Sequence, residues 1–253
     1  MSASITGTAR DVFRDALRRK ENAIIIAVAA AMIVAIMSLD FFGLDGVTRI
    51  YREGVLRIIS LATALCVIVL AARQLRCGAP SGACGRVLAG KALGVLCYAA
   101  GILLVLTLVF AAAGTSRPGV VPWPMYLEFI YLQLLMMLAL AAVCFVLSAA
   151  MNLDAAICAG ILFYLIGISA SGVVLVMYPY STSLVRALFA AANYGFPQLL
   201  VFDLRSRTVH AEAWPLLSVL PLLLITAYGI VYSAAYGWLA SWIVSRKQRR
   251  ARA

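Results

Sequence analysis

Gly85-Arg86-Val87-Leu88-Ala89-Gly90-Lys91 carries the glycine and lysine spacing of a phosphate-cradling loop. Such a loop needs a Ser or Thr next, to hold magnesium, and it lies between a strand and a soluble helix. Here Ala92 follows and opens an apolar run, so no nucleotide site is expected at this motif. Lys91 is expected to snorkel at the inner membrane boundary instead. Ser171, in Ala170-Ser171-Gly172, and the single histidine, His210, supply the parts of a serine nucleophile and base. Catalysis would need them in hydrogen-bonding reach beside an oxyanion hole. Ser171 sits inside an apolar run and His210 outside every such run, so an intramembrane protease is the weakest of the readings kept, and the small residues read as close helix packing. Cys66, Cys97, Cys144 and Cys158 lie in apolar runs and behave as small apolar residues. Cys77 and Cys84 lack the short Cys-x-x-Cys spacing and a nearby His, so no metal site is expected.

The elements around these residues are set by composition. Of 253 residues, 64% are apolar and only 12% charged, with a mean hydropathy of +1.00. A soluble domain is about half apolar and about a quarter charged. The balance excludes a soluble enzyme, a disordered chain and a disulfide scaffold. A hydrocarbon layer about 30 Å thick is crossed by roughly 20 helical residues. Six stretches fit: Ala23–Leu39, Val55–Ala72, Ala92–Ala113, Met125–Met151, Ala155–Met177 and Leu216–Val244. Lipid offers the backbone no hydrogen bonds, so each is read as a helix, and the alternating ten-residue segments of a barrel are missing. The sequence therefore predicts an all-α membrane protein of one domain over residues 1–253, with six transmembrane helices. Met37-Ser38-Leu39-Asp40 does not offer a small-x-small cleavage site, so the first helix is expected to be retained.

The net charge of +11 would suggest nucleic acid in a soluble protein. With both termini cytoplasmic, the inner segments 1–22, 73–91, 151–154 and 245–253 hold 14 Lys and Arg against four acids. The outer side, counting Arg57 and Glu128, holds seven against six, so the excess divides as +10 inside and +1 outside. This is the positive-inside pattern of a multi-pass protein, here in a prokaryotic cytoplasmic membrane, and no nucleic-acid partner is needed. Charges within the spans are scarce, and no buried acid–base chain marks an ion path.

Between the spans, four segments stand out. Residues 1–22 contain an amphipathic stretch, Ala9 to Lys20, with Val12, Phe13, Ala16 and Leu17 on one side and Arg10, Arg14, Arg18 and Arg19 on the rest. It is expected to lie flat on the inner membrane surface among lipid headgroups. The inner loop 73–91 holds Arg73, Gln74, Arg76, Pro80, Arg86 and Lys91, and its glycines break any long helix. Segment 178–215 is too apolar for a free loop and too short to cross twice, so a re-entrant or interfacial hairpin between helices five and six is expected on the outer side. Residues 245–253 form a basic tail.

This layout resembles the ABC-2 family, the six-helix permease subunits of type V ATP-binding-cassette transporters. The amphipathic stretch is similar to that family's elbow helix. Pro80 followed by Arg86-Val87-Leu88-Ala89-Gly90-Lys91-Ala92-Leu93-Gly94 is similar to its "Pro-x-x-Arg…Gly-Lys…Gly" entry into helix three. Phe196-Pro197-Gln198-Leu199-Leu200-Val201-Phe202-Asp203-Leu204-Arg205, then Tyr228 and Tyr232, then Ser245-Arg246-Lys247, resembles its "Pro-Asn-Leu…Phe-Asp…Tyr…Tyr…Arg-Arg" ending. The chain departs from the family in its shorter inner loop and in lacking an acid after helix two. The resemblance implies a permease that is not itself an enzyme and holds no cofactor. ATP and magnesium would bind a separate cytoplasmic ATPase subunit. A second permease chain, the same or different, would complete the pathway. It assigns Arg73, Gln74, Arg76, Pro80, Arg86 and Lys91 to ATPase coupling, Val12, Phe13, Arg14, Leu17 and Arg18 to the interfacial helix, and Pro197, Phe202, Asp203, Tyr228 and Tyr232 to the outer segment. The apolar lining points to a lipid, amphiphile, peptide or drug-like cargo. The alternative is a membrane scaffold or assembly subunit that does not transport.

Overall fold

The structure, a computed structural model, describes residues 4–39, 47–74, 84–115, 120–177, 182–187 and 198–250, with the side chains of 47, 84 and 169–177 outside that description. Among the described residues it is all helical. Helix α1 is Ile5–Arg18, α2 Lys20–Ser38, α3 Val47–Gln74, α4 Cys84–Gly114, α5 Trp123–Ala150 and α6 Leu153–Met177. A single 3-10 turn, Leu199–Phe202, and the short helix α7, Arg205–Val209, lead to α8, Val219–Arg250. Among the described residues, five helices are long and apolar enough to cross a membrane, within Lys20–Ser38, Thr48–Gln74, Gly85–Gly114, Trp123–Ala150 and Val219–Arg250. The chain is thus a multi-pass helical protein. Helix α6 has 25 residues, of which Leu153–Ile168 form a shorter described apolar helix.

Apolar residues on every side of α3 and α5 place these two helices at the centre. Val55, Ile59, Cys66, Ile68 and Leu70 of α3 and Phe129, Met136, Leu140 and Cys144 of α5 are wholly covered. Helices α2, α4, α6 and α8 pack around them. The outward surfaces stay apolar, as at Val28, Leu104, Leu162 and Leu223, which fits a solvent of lipid rather than water. Helix α8 lies mainly along α5, and only Gly229 and Ala240 of its residues are fully covered. Near its C-terminal end Arg246 stacks on Trp242, 4.6 Å from the ring centroid, and before its N-terminal end Arg207 stacks on Trp214 at 5.4 Å. Val219 to Trp242 rises about 35 Å at 1.5 Å per residue, close to one hydrocarbon layer with its interfaces. Trp at both ends is the usual anchor at the headgroup level.

Helix α1 departs from the expected flat helix among lipid headgroups. Its contacts advance along α4 in step. A side chain at Gly90 would meet Ile5 O at 2.8 Å and Thr8 Cβ at 2.9 Å. One at Gly94 would meet Ala9 O and Val12 Cβ at 2.7 Å. Phe13 then stands edge-on to Tyr98, 6.2 Å between centroids. Each step is about four residues on both helices, so α1 runs alongside the N-terminal part of α4 in the same direction. Its apolar stripe, Ala9, Val12 and Ala16, is covered by protein, whereas Leu17 at the edge of that stripe is 63% exposed. Arg10, Arg14 and Arg18 face outward. The reason is the missing side chains at Gly90 and Gly94, which let the backbones meet. At Arg19 the backbone leaves the helix for an extended conformation (φ −82°, ψ 115°) before α2 begins.

Candidate functional site

The polar side chains collect at the two ends of the bundle and along one line between them. The first end joins α1, α2, α3 and α4. Asp15 accepts hydrogen bonds from Arg19 Nη2 at 2.7 Å and from Gln74 Nε2 at 3.2 Å. Lys91 is buried, and its Nζ donates to the main-chain oxygen of Gln74, the last residue of α3. A cation at a helix C-terminus meets both the unpaired carbonyls and the negative end of the helix dipole. Arg73 pairs with Glu21 of α2 at 2.8 Å. Close by, Ser148 Oγ of α5 donates to the Ala72 carbonyl.

These contacts revise the reading of Lys91, which caps α3 rather than snorkelling to lipid. The Gly85–Lys91 motif lies within α4, which starts at Cys84, and so forms helix rather than a loop between a strand and a helix. Of the six residues assigned to ATPase coupling, Arg73, Gln74 and Lys91 meet one another through α1 and α2, Arg86 is exposed, and Arg76 and Pro80 lie outside the described residues.

The opposite end is organised by Arg52 of α3. It is 5% exposed, and its guanidinium donates to Val120 O at 2.8 Å, Val209 O at 3.2 Å and Glu212 Oε1 at 2.6 Å. One side chain therefore ties the α4–α5 connection and the segment before α8 to α3. The hydrogen bond from Arg52 holds the Glu212 carboxyl below its ordinary pKa, and Arg49 at 3.7 Å contributes further attraction. Tyr51 Oη donates to the Leu39 carbonyl, and Glu128 Oε1 of α5 accepts the Leu217 N–H at 2.9 Å.

Beside Arg52, a cavity of about 360 Å³ opens between α3 and the segment around α7, lined by Glu53, Arg57, Leu200, Asp203, Arg205, Ser206, Val209 and His210. Glu53 and Arg57 are one helical turn apart and pair at 2.5 Å, yet Arg57 is 67% exposed. Across from them Asp203 accepts the Arg205 N–H at 3.1 Å and its Nε at 2.7 Å. Burial acts against the charge on Arg205. The bonds and attraction from Asp203 outweigh it, helped by Tyr164 and Glu53, and the guanidinium pKa lies above its ordinary value.

A line of buried polar groups runs from this cavity into the bundle. Tyr164 Oη of α6 lies 3.0 Å from Ser60 Oγ of α3, and Gln133 Nε2 of α5 donates to the same Ser60 oxygen at 2.9 Å. Gln133 is fully buried, and no described group donates to its Oε1. Three helices thus meet at one hydroxyl.

No known protein family or curated protein matches the chain.

The outer residues singled out by sequence are partly brought together. Phe202 is fully buried and its ring lies 5.8 Å from Tyr228, which in turn is 4.5 Å from Tyr232. Tyr228 Oη accepts the Gln198 N–H at 2.8 Å, pinning the 3-10 turn to α8. Asp203 turns away into the cavity. Pro197 and most of 178–197 lie outside the described residues, and so does the centre of the expected hairpin. In the interfacial set, Val12 is buried, Phe13 half-buried, and Arg14, Leu17 and Arg18 exposed. Sequence reasoning missed Arg52, Glu212, Gln133 and Tyr164. Gln133 had a signal, being the one amide within a 28-residue apolar helix. Arg52 had none beyond its charge.

Proposed function

We propose that the chain is the membrane-spanning permease subunit of an ATP-binding-cassette transporter, in the manner of the ABC-2 family, driven by a separate cytoplasmic ATPase. The observation that carries this reading is the junction of Asp15, Gln74 and Lys91. Gln74 ends α3 and Lys91 lies about two turns into α4, so they flank the inner loop, and Asp15 links Gln74 to α1. A push on that loop by a partner would be received by α1, α3 and α4 as one body, which is what conversion of ATPase closure into bundle motion requires. In this reading α6 is the sixth crossing, both termini are cytoplasmic, segment 178–215 is re-entrant on the outer side, and a second permease chain completes the pathway. Cargo is a lipid, amphiphile, peptide or drug-like molecule moved outward.

The test is purification of the full chain from its native membrane. A P-loop ATPase should accompany it, and ATP turnover should fall when Gln74→Leu breaks the junction. Recovery without an ATPase, with nucleotide leaving the chain's protease pattern unchanged, would refute the reading.

A second reading, a membrane scaffold, is favoured by the same residues seen differently. Arg73, Gln74 and Lys91 are engaged within the chain, which leaves fewer side chains to grip a moving partner. It predicts a stable complex that nucleotide does not rearrange.

A further inference from the structure

The cavity at the outer end has a charge pattern that neither the ATPase junction nor the aromatic cluster uses. Its two ion pairs are each local. Glu53 bonds Arg57 four residues along α3, and Asp203 bonds Arg205 two residues along its own segment. Each wall therefore carries its own plus and minus, and among the described residues no hydrogen bond or ion pair joins the two walls. The lining holds two carboxylates and two guanidiniums, with no net charge.

Arg57 lies ten residues into α3, about 15 Å along its axis. Charged side chains at such positions face water, a partner or a polar ligand, because lipid makes them costly. Glu53 and Arg57 are half or more exposed, and they open onto this cavity. Asp203 and Arg205 opposite are fixed, with side chains 9% and 19% exposed and several mutual hydrogen bonds. One wall is thus rigid and the other free to adjust. Ser206 and His210 add further polar groups, while Leu200 and Val209 supply apolar edges. The volume of about 360 Å³ is at the small end of ligand pockets, roughly 300–1,000 Å³. That suits a polar headgroup rather than a whole lipid, with Leu200, 43% exposed, beside which a chain could leave.

We infer that this cavity binds a zwitterionic group, one cation and one anion a few bonds apart, such as the amine and phosphate of an ethanolamine phosphodiester. The cation would lie against Glu53 and Asp203 and the anion against Arg57 and Arg205. A net anion or net cation would leave one pair of wall charges repelling it, and a neutral sugar would offer the wall charges no charged group to meet. Taken as the cargo site, the cavity deepens the transport reading and rests on it. Taken as a binding site, it does not, and the experiment measures binding only.

The probes are glycerophosphoethanolamine, which has no tails, its dihexanoyl ester, and the anionic glycerol counterparts of both. Each is titrated by calorimetry into the purified full chain in maltoside micelles. Saturable binding of an ethanolamine probe, about tenfold tighter than its glycerol counterpart, is expected. Binding of both ethanolamine probes identifies a soluble zwitterion as sufficient. Binding of the dihexanoyl ester alone identifies a membrane lipid. Glu53→Gln and Arg57→Gln should each weaken binding about tenfold with unchanged thermal unfolding, since both side chains are exposed. Equal binding of the glycerol probes, non-saturable uptake, or full binding by both variants would overturn the inference. Failure to find an ATPase would leave it standing.

Discussion

The Nζ of Lys91 donates to the main-chain oxygen of Gln74, so the first turns of α4 close the last turn of α3. Lys91→Met keeps the stem and removes the cation. It strips the C-terminus of α3 of its donor and should destabilise the chain by about 1–3 kcal/mol. Denaturant titration in micelles measures this. The change should also speed tryptic cutting at Arg73 and Arg76.

Arg52 should matter more. Its removal leaves the carbonyls of Val120 and Val209 without their donor and frees the segment before α8. Arg52→Leu is expected to cost about 3–5 kcal/mol, the range for breaking a buried charged network. Arg52→Lys should recover only part of this, because one ammonium cannot reproduce a planar fork with three partners. Equal stability of Lys and wild type would show that the fork geometry is unimportant.

Acid should weaken the same tie. The Glu212 carboxyl sits below its ordinary value of 4.5 because Arg52 favours its charged form. A carboxyl lowered in the fold gives stability that is complete above its unfolded pKa and disappears as pH falls through the lower folded value. Unfolding monitored from pH 7 downward should thus show an acid-labile component below about pH 4.5, absent in Glu212→Gln. The effect is small, since the Glu212 side chain is half exposed.

Gln133 gives a prediction of opposite sign. It makes one bond to Ser60, and its Oε1 is buried without a described donor. Gln133→Met has a similar length and no polar atom to strand, so stability should change by less than about 1 kcal/mol. Ser60→Ala should cost more, because it takes the shared partner from both Tyr164 and Gln133. Thermal unfolding of the two variants separates these outcomes.

At Gly94 even one methyl group is too much. An added Cβ would stand 2.7 Å from both Ala9 O and Val12 Cβ, and a backbone oxygen has no rotamer by which to withdraw. Gly94→Ala should lift α1 from α4 at a cost of about 1–3 kcal/mol. Faster tryptic cleavage at Arg14 and Arg18 would report the release.

The crossing helices were legible because their lengths and composition are dictated by lipid. Ala92–Ala113 and Met125–Met151 fall almost wholly within α4 and α5. The helices run longer than the apolar stretches because Arg49, Arg52 and Arg86 continue helical hydrogen bonding beyond the hydrocarbon. The polar contacts were not legible. Glu212 lies 160 residues from Arg52 and Gln74 lies 59 from Asp15, and no local periodicity records such pairings. The amphipathic pattern of α1 revealed an apolar stripe but not what covers it. Lipid and a glycine-lined neighbour demand the same residues. Gly90 and Gly94 stand four residues apart in the sequence, and only the structure supplies their partners in the same chain, Ile5 and Thr8 for Gly90 and Ala9 and Val12 for Gly94.

The seat of α1 on Gly90 and Gly94 also sets an order of events during biosynthesis. Residues 5–18 leave the ribosome before α4 exists. At 5–20 residues per second, the wait for residue 94 is on the order of 4–20 s. Throughout it the stripe of Ala9, Val12 and Ala16 has no protein to cover it. A basic helix with an apolar side is held by an anionic lipid surface, so the membrane would serve as its temporary chaperone. The arginines Arg10, Arg14 and Arg18 then matter most to the nascent chain, before the bundle exists.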